Sequence, residues 1–214
     1  MNFKYFCKNN IIPSFLLSFL DNKRIRAINK AHVSGDYVFD VENTYILKIS
    51  INKERLLREK EKNDYLSTKL PVSKTVFYSD EEKYAYYLKT KVKGKPLVSK
   101  EYLNNPKKLA KLLGMAISMF HNADASDCVL KNNYSDGNTL IHGDFCLPNI
   151  LATGNKITGF IDTEGAGLGD PYADYAWCIW SFEYNLNSNE YTQLLLKELN
   201  IKNEREKMDK YLGI

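Results

Sequence analysis

The chain has 214 residues, 44% hydrophobic and 26% charged, which is enough apolar material for a sizeable core and excludes a disordered chain or a fibrous repeat. Its formal charge of +4 is spread over interspersed acids and bases, without the basic face and readout elements of a nucleic-acid binder, so nucleic acid is not an expected partner. Four cysteines lie far apart with only three histidines to help them, which excludes a zinc site or a disulfide framework and fits a reducing, cytoplasmic compartment.

The first apolar run, Ile11 to Leu20, is too short to span a bilayer, contains Pro13 and Ser14 and follows no basic leader. It reads as a short packing helix with Pro13 near its first turn, and no membrane association is expected. From Arg24 to Leu88 the pattern is strand-like with one helix. Val33-Ser34-Gly35-Asp36-Tyr37 is a tight turn, readable either as an ordinary hairpin or as a loop whose backbone N–H groups at Ser34 and Gly35 face a phosphate. In Tyr45-Ile46-Leu47-Lys48-Ile49 the period of two puts Ile46 and Lys48 on one face and Tyr45, Leu47 and Ile49 on the other.

A helix follows from about Asn52 to Thr68, stopped before Pro71. On it Leu56, Glu59, Asn63 and Leu66 share the inward face, so Glu59 puts a charge where a partner is needed. A mid-strand lysine among apolar residues needs one as well. Lys48 and Glu59 fit the strand-lysine and helix-glutamate pair with which kinases hold an ammonium against nucleotide phosphates. An exposed strand lysine, with Arg55 or Arg58 satisfying Glu59 locally, is the alternative. Thr75 to Tyr78 and Tyr84 to Leu88 form a hairpin around Ser79-Asp80-Glu81-Glu82.

The chain divides near Lys91 to Pro96. This gives a strand-rich N-terminal lobe over 1–90, a hinge over 91–96 and a helical C-terminal lobe over 97–214. The second part opens with a helix capped by Asn105 with Pro106 at its first position, and its stripe of Leu109, Leu112, Leu113, Ala116, Ile117 and Phe120 faces a core. Tyr172 to Phe182 is apolar on nearly every side, with both tryptophans inside it, and reads as a helix buried at the centre of the lobe. Amphipathic helices over Glu190–Leu199 and Glu204–Leu212 complete an α+β architecture with a cleft between two lobes.

The most specific signal is Leu140-Ile141-His142-Gly143-Asp144-Phe145-Cys146-Leu147-Pro148-Asn149-Ile150-Leu151, followed by Gly159-Phe160-Ile161-Asp162. Phosphoryl transfer from a nucleotide needs a carboxylate to orient the incoming hydroxyl and oxygen ligands for the Mg²⁺ on the phosphates. An Asp, an Asn five positions later and an Asp at the end of the next strand supply that set, in the H-x-D-x-x-x-x-N plus D arrangement of kinases. The alternative is that Asp144 and Asp162 only cap turns. His142 reads as a brace for the loop. Cys146, beside a carboxylate that disfavours its thiolate, reads as packing.

His142 to Asn149 resembles the catalytic loop of the aminoglycoside phosphotransferases, the 3'-enzymes in particular, and the likeness continues through Asp162 and Asp170 to Ala176. It implies a protein-kinase-like fold with a shortened C-terminal lobe. It also implies Asp144 as catalytic base, Asn149 and Asp162 as ligands of Mg²⁺, and Asp174 as a support behind the loop. Backbone at Thr90 and Val92 would read the base of ATP or GTP, with Ile46 where some relatives stack an aromatic residue.

Three departures accompany the resemblance. Thr163-Glu164-Gly165-Ala166-Gly167 is more like choline and ethanolamine kinases. Only the short stretch Asp124 to Gly137 stands where relatives carry an additional helical insert. The sequence stops at Ile214, before an acidic C-terminal segment. The expected activity is transfer of a nucleotide's γ-phosphate to a small-molecule hydroxyl, with antibiotic phosphorylation as one form of it. Choline-, ethanolamine- or sugar-type kinases and a non-catalytic nucleotide-binding homologue are the alternatives. The late acids Glu183, Glu190, Glu198, Glu204, Glu206 and Asp209 are nearly balanced by neighbouring bases, so polycationic aminoglycosides are expected to be poor substrates. Nothing in the sequence speaks to oligomeric state.

Overall fold

The computed structural model describes residues 3–28, 36–132 and 136–213. The chain forms two compact units, one of Met1–Asp64 with Ser73–Lys91 and one of Tyr65–Val72 with Val92–Ile214. Among the described residues no helix is long and apolar enough to cross a membrane.

The first unit begins with helices α1 (Phe3–Asn9) and α2 (Ser14–Leu20). Pro13 stands at the N-cap of α2, one position before the helix, where its fixed φ and missing N–H cost nothing. Helix α1 was not expected; its only apolar signal is Phe3 and Phe6, three apart and both buried. Strands β1 (Ile25–Ala27), β2 (Tyr37–Val41) and β3 (Tyr45–Ser50), then helix α3 (Lys53–Leu66) and strands β4 (Thr75–Asp80) and β5 (Ala85–Thr90), complete the unit. The strands pair antiparallel in the order β1-β2-β3-β5-β4.

Alternation divides the faces of this sheet as the sequence implies. Phe39, Val41, Leu47, Ile49, Tyr86 and Leu88 pack with Phe6, Leu16 and Leu20 of α1 and α2. Lys48, Tyr87 and Lys89 stand on the other face with α3, whose inward positions Leu56, Glu59 and Asn63 are buried; Leu66, at its end, is buried in the core of the second unit.

The second unit contains β6 (Lys95–Pro96), α4 (Lys100–Leu103) and α5 (Pro106–His121), then β7 (Thr139–Ile141), β8 (Ile150–Thr153), β9 (Lys156–Phe160) and β10 (Gly167–Gly169), and finally α6 (Pro171–Leu186), α7 (Thr192–Leu199) and α8 (Arg205–Leu212). The Asn105 side chain caps α5 by accepting from Lys108 N at 3.0 Å, and every residue of the expected stripe is buried. At Gly114 a Cβ would stand 2.6 Å from the Glu198 carbonyl, so α5 and α7 approach this closely only because that position is glycine. Strands β6, β8 and β9 form one small sheet, and β7 with β10 another.

Helix α6 departs from expectation. It is buried along Ala173, Asp174, Ala176, Cys178, Ile179, Ser181 and Phe182, but Trp180 and Tyr184 are exposed and stack on each other with centroids 5.1 Å apart. Apolar composition on all sides marks a buried helix only when all sides are covered. Here one aromatic stripe is not.

Candidate active site

In the first unit, Glu59 is 1% exposed, and both of its oxygens are occupied. Lys48 Nζ donates to Oε1 and Oε2 at 3.0 and 2.9 Å. Lys89 Nζ donates to Oε1 at 2.6 Å. Burial pushes the Glu59 carboxyl up, but the ammonium groups of Lys89 and Lys48 outweigh it and hold the group at about 2. Glu59 is therefore a carboxylate throughout the physiological range. Glu59 thus pairs with the two lysines, while Arg55 pairs with Asp36 and Arg58 with Glu54.

Sequence reasoning missed Lys89. The alternation along β5 puts it on the face of Tyr87, and the register Lys48↔Tyr87, Ile46↔Lys89 brings it beside Lys48. Only a cross-strand register supplies that neighbour. Ile46 is half-buried on the same face, opposite Asp40 and Lys89. The Thr90 N–H donates to the Lys74 carbonyl at 2.9 Å. Ser34 and Gly35 lie outside the described residues.

In the second unit Val92 is half-buried beside Gly159. The catalytic-loop residues are held from behind by Asp174, which is fully buried on α6. Its Oδ1 accepts from Gly143 N at 2.8 Å and its Oδ2 from His142 N at 2.9 Å, and His121 Nε2 lies 3.0 Å from Oδ2. Gly143 has φ +79°, and a Cβ there would meet the Gly165 carbonyl at 2.5 Å; the turn admits only glycine.

His142, buried against Phe120, Phe145 and Phe160, accepts from Asp144 N at Nδ1 (3.3 Å) and faces the Ile161 carbonyl with Nε2 (3.0 Å). Those partners put the ring proton on Nε2. The imidazole thus ties Asp144 to the segment that carries Asp162, and it has the bracing role read from the sequence.

Asp144 itself is exposed. Asn149, 6% exposed at the end of a short 3₁₀ turn, donates from Nδ2 to the Asp144 carbonyl at 3.0 Å and to Asp144 Oδ2 at 2.8 Å. Two acceptors on one nitrogen assign the amide, and Asn149 Oδ1 is the oxygen left on its other side. The Asn149 carbonyl accepts from Ile161 N at 2.9 Å, one residue before Asp162. Asp162 is exposed and left-handed, with φ 56° and ψ 51°, a conformation that costs a non-glycine residue energy and is concentrated at functional sites.

The donor set suits Mg²⁺. Asn149 Oδ1 and the Asp162 carboxylate are hard oxygen donors, and Mg²⁺ at such sites completes its shell with phosphate oxygens and water. No cluster of three or more histidine, cysteine or acidic side chains suited to a metal occurs among the described residues. Burial and then the Asp144 charge push the Cys146 thiol far up, which leaves it protonated and without nucleophilic use.

Residues 132–211 match the model of the phosphotransferase enzyme family. A probable aminoglycoside 3'-phosphotransferase of Lactococcus lactis is 29% identical, with 84% of each chain covered. An aminoglycoside 3'-phosphotransferase of Enterococcus faecalis is 26% identical over 72% of this chain and 76% of its own. Among solved structures, the aminoglycoside phosphotransferase APH(3'')-Id of Streptomyces rimosus superposes with a TM-score of 0.78 at 16% identity, covering 99% of this chain and 97% of its own. The same enzyme in complex with ADP and streptomycin gives 0.70 at 17% identity, over 85% and 92%. At such identities these two likenesses carry the fold, which is the kinase-like α+β fold expected from the sequence.

Proposed function

We propose that this chain, which belongs to the aminoglycoside phosphotransferase family, is a small-molecule kinase that transfers the γ-phosphate of ATP or GTP to a hydroxyl group. In this reading the acceptor oxygen forms a bond to the γ-phosphorus while the bond to the β–γ bridging oxygen breaks, and the nucleoside diphosphate leaves. Asp144 orients the acceptor hydroxyl and takes its proton. Asn149 and Asp162 would hold Mg²⁺, which when bound would supply positive charge against the developing phosphate charge. Lys48, kept in place by Glu59, lies against the phosphates. Ile46 and backbone at Thr90 and Val92 take the base, with residues 1–90 as the nucleotide-binding lobe, 91–96 as hinge and 97–214 as catalytic lobe. Four free cysteines accord with a cytoplasmic setting.

The observation that carries the proposal is the Asp144–Asn149 pair at 2.8 Å. An exposed carboxylate is aimed by a buried amide, on a loop whose backbone is fastened by a buried aspartate. A turn cap needs none of these supports. Calorimetric titration with Mg-ATP and Mg-GTP, followed by coupled nucleoside-diphosphate release with aminoglycosides, choline, ethanolamine and sugars as acceptors, tests it. Binding with acceptor-dependent release supports the kinase. Binding with no release on any acceptor identifies a non-catalytic homologue.

One observation favours a weakly charged acceptor over a polycation. Two of the late acids are engaged within their own unit, Glu183 by Arg205 at 2.7 Å and by Thr192 at 2.5 Å and Glu204 by Tyr172 at 2.7 Å, and Asp170 accepts from Tyr211 at 2.6 Å. Carboxylates spent in this way contribute little to caging several ammonium groups.

A further inference from the structure

Helix α6 carries Trp177, Trp180 and Tyr184 on one face, since their spacing of three and four makes them neighbours along the helix. The Trp180 and Tyr184 rings stack with centroids 5.1 Å apart and planes 13° from parallel. Trp177 stands at 83° to Trp180, with centroids 5.6 Å apart, so the two indoles form two walls of a corner. Trp177 is half-buried, whereas Trp180 is 40% and Tyr184 69% exposed. Three large rings held in order against one another, with two of them in water, mark a binding surface.

This line adjoins the catalytic loop within the same unit. Ser181, the residue after Trp180, accepts from Leu147 N with its Oγ at 3.0 Å, and the Trp177 carbonyl accepts from Cys146 Sγ at 4.0 Å. The charge of Asp144 acts on that same thiol. The turn of α6 that bears both tryptophans is thus fastened to the loop two and three residues after Asp144.

The chemistry of the corner selects its occupant. It offers the negative faces of aromatic rings beside an exposed carboxylate, which favours a cation. Primary ammonium groups are strongly hydrated and call for carboxylates, and Glu183 and Glu204 are engaged elsewhere. A quaternary ammonium spreads its charge over alkyl groups that cannot donate a hydrogen bond, so ring faces take it at little desolvation cost.

We propose that Trp177 and Trp180, with Tyr184 stacked behind Trp180, form an acceptor subsite for an alcohol carrying a single quaternary ammonium group. This rests on the kinase reading above and names its substrate class. The rings hold the cation while the hydroxyl oxygen bonds to the γ-phosphorus, the nucleoside diphosphate leaves and Asp144 takes the proton.

Both tryptophans of the chain stand in this line, so indole emission reports the subsite without contribution from elsewhere. Emission would be titrated with choline, with its uncharged carbon isostere 3,3-dimethylbutan-1-ol and with ethanolamine, and Mg-ATP and Mg-GTP binding would be measured separately by calorimetry. Choline should change the emission and bind about tenfold tighter than either of the other two. Trp180→Leu, read through Trp177, should lose about tenfold in choline affinity and little for the isostere, and Trp180→Phe should keep most of both. The comparison of choline with its isostere needs no variant and stands even if Trp180→Leu does not fold. Equal affinity for choline and the isostere, or wild-type choline affinity in folded Trp180→Leu, overturns the proposal. So does a second copy of the chain covering Trp180, seen as a dimer in sedimentation whose emission choline leaves unchanged. Failure to bind either Mg-nucleotide while choline selectivity is intact overturns the kinase reading instead.

Discussion

Replacing Asp174 is the most discriminating perturbation of the loop. Its Oδ1 serves Gly143 N (2.8 Å), and its Oδ2 serves His142 N (2.9 Å) and lies against His121 Nε2 (3.0 Å). In Asp174→Asn one oxygen becomes an NH₂ group. With the amide oxygen on the Gly143 side, the nitrogen can donate to a retautomerised His121 but meets the His142 N–H donor to donor. One buried backbone N–H is then left unsatisfied, at about 1–3 kcal/mol, and the surviving bond to Gly143 loses its charge assistance, for a total of about 2–4 kcal/mol. Asp174→Ala orphans both backbone donors and should cost about 3–5 kcal/mol. Because the same bonds place the turn before Asp144, kcat should fall by about 10- to 100-fold while the nucleotide KM changes little. Urea unfolding gives the stability loss as a shift in midpoint at unchanged m, and steady-state kinetics gives the second effect. A loss below about 0.5 kcal/mol with unchanged kcat would show that the clamp is incidental.

Asp162→Ala removes a hard oxygen ligand and its charge, and should weaken Mg-nucleotide binding by at least about tenfold while leaving metal-free nucleotide binding alone; equal Mg-nucleotide affinity by calorimetry would refute the assignment. Glu59 has a folded pKa near 2, below its ordinary 4.5, so its contribution of about 3 kcal/mol is complete above pH ~4.5 and disappears as pH falls toward 2. Glu59→Gln should therefore flatten the acid limb of the stability curve between pH ~5.5 and ~3 relative to wild type, and parallel curves would contradict the pairing of Glu59 with Lys48 and Lys89. With the late acids nearly balanced by neighbouring bases and Glu183 paired with Arg205, kcat/KM on kanamycin or neomycin should stay below about 10⁴ M⁻¹s⁻¹; an efficiency near 10⁵ would show that the acceptor site draws on other carboxylates.

Features set by local periodicity are legible in the sequence itself. The inward line Leu56-Glu59-Asn63-Leu66, the alternation that opposes Lys48 to Leu47 and Ile49, the stripe of α5 and its Asn105 cap follow from helical and strand periods and from capping chemistry. The loop from His142 to Asn149 is legible because the chemistry demands those residue types at that spacing.

What is not legible depends on long-range placement. Lys89 joins the Lys48–Glu59 pair only through the β3–β5 register, and hydrophobic alternation within β5 alone cannot say which residue lies opposite. The exposure of Trp180 and Tyr184 depends on which faces of α6 other elements cover. Helix α1 has seven residues and two buried anchors, too few for a periodic signal. The left-handed backbone of Asp162 leaves no mark in an Ile-Asp-Thr sequence, since aspartate is compatible with several turn conformations.

In the proposed reaction Asp144 takes the acceptor's proton, and single-turnover transfer from γ-labelled nucleotide measures that step directly. Wild type and Asp144→Asn would be mixed in excess over Mg-nucleotide and an accepted acceptor, and the phosphorylated product followed in time. The predicted result is equal nucleotide affinity with the transfer step slowed by about two to four orders of magnitude in the variant. Transfer at the wild-type rate in a folded Asp144→Asn protein would contradict the account.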